Sequence, residues 1–166
     1  MSRSLAPWLE RAQPAADILN PALGAVCVAW CATRYERDTK GEPLPFPLAF
    51  LVAPLVLHAP TRAQFPSTAA THFPTWVTRN AEVLVGFPTR SAAFVPYVRE
   101  GLRAGVRSGL LTATTDGDLT GNIAAHTTLP SGTELRDIAT AAALTGAWFA
   151  RAGTIANVYT QLGVTP

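Results

Sequence analysis

Pro47-Leu48-Ala49-Phe50-Leu51-Val52-Ala53-Pro54-Leu55-Val56-Leu57-His58 is the stretch around which the rest of the chain arranges itself. The wider segment from Leu44 to Pro66 carries just two ionisable groups, His58 and Arg62. A run that is apolar on every side has to be buried on every side, in the core of its own chain or in that of another. Proline is tolerated at a first helical position, where its missing N–H costs nothing, so the pattern predicts a helix from Pro47 to His58, kinked near Pro54. The uncharged stretch from Pro43 to Leu57 is too short and too proline-rich to cross a bilayer. His58 and Arg62, four residues apart, read either as positive charge favoured at a helix C-terminus or as an anchor for a partner.

Upstream, Asn20-Pro21 is a helix start with a mechanism, because Asn caps free amides and Pro tolerates the next position. Leu23, Val26, Cys27, Trp30, Cys31 and Tyr35 follow with helical spacing, which predicts a helix from Pro21 to about Arg37 with that stripe facing the core. Gly41-Glu42-Pro43 breaks it. Downstream, a short helix is expected around Phe73 to Arg79. Thr89 or Ser91 then caps a helix to about Ser108, with Phe94, Val95, Val98, Leu102 and Val106 inward and Gly109 ending it. Asp116-Gly117 lies between Leu110–Thr115 and Asp118–Ile123, which reads as a hairpin with a tight type I′ turn. Ser131 or Thr133 opens a helix from Glu134 to Arg151, closed by Gly153, and Thr154 caps a last short helix to Gly163. The expected fold is mainly α with a small β-hairpin, a single compact helical domain over residues 1–166. Residues 89–125 or so are a candidate winged-helix-like unit.

The chain has 166 residues, one domain's worth, and 48% of them are hydrophobic, which excludes intrinsic disorder. Charged residues make up 14%, against about 25% in an average soluble domain. The 13 basic and 11 acidic side chains nearly cancel to a formal +2. So low a charge means either a skin of Thr, Ser, Ala and Pro or a surface covered by a partner. It also speaks against a protein that coats nucleic acid or a membrane through a whole-surface field. No export signal is read at Met1–Glu10. Cys27 and Cys31, four apart on one helix, fit buried thiols in a reducing compartment, so the expected location is the cytoplasm.

No catalytic constellation is legible. Cys27, Cys31, His58, His72 and His126 lack the spacing of a metal site, with no CxxC and no HExxH. There is no GxSxG, no GxxxxGK and no GxGxxG, so neither a nucleophile nor a nucleotide cofactor is supported. The expectation is a chain without catalytic residues, metal or cofactor. What stands out positively is Arg99, Arg103 and Arg107, recurring every four residues along one helix and preceded by Arg90. That stripe reads as a solvated face, as a contact for an acidic protein surface or as a contact for DNA phosphates. Asp116, Asp118 and Glu100 weigh against DNA.

The run from Pro47 to Arg62, with Phe65-Pro66 after it, resembles the signature of the middle component of bacterial three-component ABC systems, among them the Lamassu-type antiphage operons. Asn20-Pro21, Phe94–Gly105, Thr145–Gly153 and Leu162–Pro166 agree with it in order. The resemblance implies a small non-enzymatic subunit working beside a coiled-coil ABC ATPase of the SMC or Rad50 kind and an effector, often a nuclease. The ATPase would sense foreign DNA while this subunit helps hold the complex assembled or inhibited. The family pattern brings no catalytic residues. His58, Arg62 and Phe65 are the candidate partner contacts, and Arg90, Arg99, Arg103 and Arg107 the candidate stripe facing a partner or DNA. A winged-helix DNA-binding regulator is the alternative.

Overall fold

The computed structural model describes residues 6–10 and 19–165, with the side chain of Trp8 left out. The Met1–Leu5 part of the N-terminal reading and Pro166 at the end of the last motif lie outside the described residues. α1 (Pro21–Asp38) is the axis on which the long helices of 87–108 and 134–151, the apolar helix of 49–56 and the hairpin are assembled. The side chain of Asn20 accepts the amide of Ala22, as the Asn-Pro pair predicts. The buried surface of α1 differs from the expected stripe, of which Cys27 and Cys31 are buried while Leu23, Val26, Trp30 and Tyr35 are only half-buried. Gly24, Ala25, Val28, Ala29 and Ala32 are buried along with Cys27 and Cys31. Small residues let neighbours press against it from several directions. Its end is a Schellman-type turn, with Gly41 N donating to Glu36 O at 2.8 Å and Lys40 holding φ 62°.

The apolar run forms a 3₁₀ turn (Phe46–Leu48) and then α2 (Ala49–Val56), in which every residue but Phe50 is buried. Its surroundings are this chain's own: α1, α6 (Phe87–Ser108) and α7 (Glu134–Arg151) all pack on it. The helix does not reach His58 as expected. The chain turns there and restarts as α3 (Ala59–Arg62), because the His58 side chain accepts the amide of Thr61 and Pro60 needs no N–H partner in a first turn. α4 (Phe73–Arg79) and the short α5 (Ala81–Leu84) lead into α6. That helix starts at Phe87 after Gly86, earlier than Thr89 or Ser91 suggested, with Pro88 in its first turn where proline costs little. α7 and α8 (Ile155–Gln161) run as expected behind the caps Thr133 and Thr154, whose hydroxyls accept from Arg136 N and Asn157 N.

Three glycines set the close approaches that fix the architecture. A Cβ at Gly146 of α7 would strike the Cys31 carbonyl of α1, and one at Gly101 of α6 would sit 3.0 Å from the Gly24 backbone. β1 (Leu111–Ala113) and β2 (Leu119–Gly121) form an antiparallel hairpin in which Gly121 rests against the Ala29 carbonyl and Thr33. Leu44 adds a one-residue bridge, exchanging backbone bonds of 2.8 and 2.9 Å with Leu119. The hairpin is therefore laid into the core and does not project as a free wing. Its turn is not type I′. Gly117 N donates to Thr114 O at 3.0 Å, Thr114 N donates to Asp118 O at 2.7 Å, and positive φ occurs at Gly117 and not at Asp116. This is a three-residue loop closed by a left-handed glycine. The described residues share one hydrophobic core, running from Cys27 to Leu162.

Candidate interaction surface

α6 decides where the arginines go, and it is rotated relative to the sequence reading. Its buried face is Ser91, Tyr97, Val98, Gly101, Leu102 and Gly105, while Phe94 and Val95 are half-buried and Val106 is 48% exposed. Gly101 and Gly105 let the helix backbone approach α1 and Leu111 directly, so the contact line follows them and leaves Val106 outside. The Tyr97 hydroxyl secures this orientation by donating to Asn20 O at 3.0 Å.

Arg99, Arg103 and Arg107 are all exposed on the outer side of α6. Arg90 does not belong with them. Nine residues separate it from Arg99, which is half a turn out of phase at 3.6 residues per turn. It turns inward instead, donating to Pro54 O at 3.0 Å and Thr61 Oγ1 at 3.2 Å, with its guanidinium 5.3 Å from the centre of the Phe87 ring. Burial lowers its pKa below the ordinary arginine range.

The other candidate contacts are engaged within the chain. Arg62 donates to Val56 O and to Glu134 Oε1, both at 2.6 Å, so the reading of Arg62 as a charge at a helix C-terminus describes what it does for α2. His58, by contrast, caps the start of α3. Its Nδ1 accepts from Thr61 N, and Thr61 Oγ1 lies 2.7 Å away. Burial, then the Arg90 charge, lowers its pKa below the ordinary 6.5. The Phe65 ring, half-buried, stacks in an aromatic cluster, 5.1 Å from Trp76 and 5.2 Å from Trp148. The indoles of that cluster are satisfied, Trp76 by Gln64 O and Trp148 by Thr71 O, each at 2.8 Å.

The two cysteines are not poised to react. Burial pushes the Cys27 thiol up to about 12 and raises Cys31 as well, which leaves both protonated and un-nucleophilic. Among the described residues no three His, Cys, Asp or Glu side chains are placed to hold a metal ion. A cavity of about 480 Å³ between α1 and α7 presents Trp30, Arg34, Arg136 and several threonines. Its guanidiniums are already taken: Arg34 pairs with Asp38 at 2.9 Å, and Arg136 donates to Leu129 O at 2.9 Å. No helix among the described residues is long and apolar enough to cross a membrane.

The second large hollow lies where the arginines are. A groove of about 510 Å³ runs between the outer side of α6 and the hairpin, with Leu102, Val106 and Leu119 as its apolar floor and Phe46 at one end. Arg99, Arg103 and Arg107 line its α6 side. The sequence reading missed this groove because it turned Val106 inward and put Phe46 just ahead of a helix. The signal that would have revealed it is the Gly101/Gly105 pair, whose spacing marks the side of α6 that meets its neighbour.

Compared with known proteins, residues 8–166 match the family model for the ABC-three component (ABC-3C) system Middle Component 3. The chain belongs to that family. No curated protein and no solved structure matches it. As a middle component of an ABC-3C system it is an accessory member of a multi-component assembly. Its arginine-edged groove and its internally committed His58, Arg62 and Phe65 are the features against which a role in that assembly has to be set.

Proposed function

We propose that this middle component is a non-catalytic subunit of a cytoplasmic antiphage complex of the Lamassu kind, docked to an SMC- or Rad50-like coiled-coil ABC ATPase and to a nuclease-type effector. It holds the assembly together and restrained until the ATPase engages foreign DNA. The observation that carries the reading is the family match over residues 8–166. Protonated, buried cysteines and a surface poor in charge agree with a docking role better than with turnover. The test is co-expression with the other components of its system. Co-elution as one species, with phage protection lost on deletion of this subunit, is expected; a chain that stays alone and converts a metabolite would overturn the proposal.

A winged-helix DNA-binding regulator is the second reading, favoured by the solvent-facing Arg103 and Arg107. It predicts duplex binding by the isolated protein that weakens steeply as salt rises. A hairpin laid against α1 leaves that reading without a free wing to enter a groove.

A further inference from the structure

The groove beside α6 has two parallel rows. Leu102 and Val106, four residues apart, form an apolar row, and Arg103 and Arg107, one residue further on, form a basic row beside it. Successive members of each row stand about 6 Å apart on a helix surface. Neither Arg103 nor Arg107 is engaged by any carboxylate among the described residues. Among the described residues no carboxylate lines the groove. Phe46, 43% exposed, and Val106, 48% exposed, leave apolar surface of the groove in water. An apolar trough edged on one side by uncompensated positive charge is complementary to a segment with the reverse pattern.

Resting on the accessory-subunit reading, we infer that this groove docks an acidic amphipathic segment of a partner component of the same system, its apolar side chains on Leu102, Val106 and Phe46 and its carboxylates on Arg103 and Arg107. A nucleic-acid backbone is the poorer fit. Phosphates gain nothing from an apolar floor, and Asp116, exposed in the hairpin loop next to Gly117, would repel a continuous strand of charge. A peptide can confine its acidic residues to the α6 side.

The experiment is titration of the full chain with the co-expressed partner components at about 0.15 M salt. The variants are R103E/R107E, V106E and, as a control of equal surface chemistry elsewhere, R79E on α4. A photo-crosslinker placed at position 106 then identifies the contacting segment by mass spectrometry. Wild type and R79E should bind alike, R103E/R107E and V106E should each weaken binding about tenfold or more, and the crosslinked segment should be acidic with helically spaced apolar residues. All positions are exposed, so unchanged melting temperatures are expected. Equal binding by all variants, or a crosslink to a basic segment, overturns the groove while leaving the accessory role standing. Failure of the wild type to bind any component overturns the accessory role and this inference with it. Binding of duplex DNA through Arg103 and Arg107 in place of a protein segment also overturns it.

Discussion

Gly146 of α7 meets the carbonyl oxygen of Cys31 in α1 at a distance no side chain could occupy. The two helices make the most extensive contact in the fold, and at this pair of residues there is no room between their backbones for a Cβ. Gly146→Ala should therefore force the helices apart and cost about 3 kcal/mol or more, read as a lower urea midpoint with the slope unchanged. A stability loss of less than about 0.5 kcal/mol, taken as the midpoint shift times the slope, would mean the helices do not cross there.

Arg62 ties the end of α2 to the start of α7. Removing it as Arg62→Ala strips the buried Val56 carbonyl of its donor, and a loss of about 1–3 kcal/mol is expected in chemical denaturation. Glu134→Gln, at the exposed end of the same pair, should cost under about 1 kcal/mol. Equal costs for the two would show that the ion pair, and not the carbonyl contact, is what matters.

His58 Nδ1 must be unprotonated to accept from Thr61, and Arg90 stands close enough to oppose a second positive charge. Its folded-state pKa is lowered, so the unfolded chain takes up the proton first as the medium is acidified. The contribution of His58 is complete above its ordinary value of 6.5 and is lost as pH falls below it. His58→Asn, which keeps a capping acceptor but cannot titrate there, should lose less stability than wild type between about pH 7 and 5. Parallel stability curves for the two proteins would remove His58 from the account.

Cys27 and Cys31 should be silent toward a thiol-reactive disulfide at mildly alkaline pH and should both react once the chain is denatured. Their labelling rate then reports opening of α1. Stoichiometric labelling of the native protein at the rate of a free thiol would contradict the placement of α1 at the centre.

Helix boundaries were legible wherever a capping side chain and its target lie within a few residues of each other. Asn20, Thr133 and Thr154 each accept an amide two or three positions ahead, so α1, α7 and α8 begin where local chemistry says they should. His58 followed the same rule and was misread because its first partner in sequence is the apolar run behind it, while its bond goes forward to Thr61. The Asp116-Gly117 turn was placed correctly and typed wrongly. One left-handed residue at Gly117 suffices once β2 is held by Leu44 and pressed on α1.

The interaction surface was harder to read because helical spacing reports which residues share a face and not which face a neighbour will choose. Arg99, Arg103 and Arg107 had to lie together whatever the fold. Arg90 was never in phase with them, and the tertiary structure decided only that its guanidinium reaches Pro54 O and Thr61, far away in sequence. The caps at Asn20, Thr133 and Thr154 and the break at Gly41 were settled by residues acting on near neighbours, whereas the apolar run told only that it had to be buried, and the packing of α1, α6 and α7 decided that this chain's own core buries it. The rotation of α6, the exposure of Val106 and the groove beneath the arginines waited on α1, whose Gly24 backbone lets Gly101 come close. That contact joins residues 77 positions apart, and shape complementarity over such a span exists only once the chain has folded.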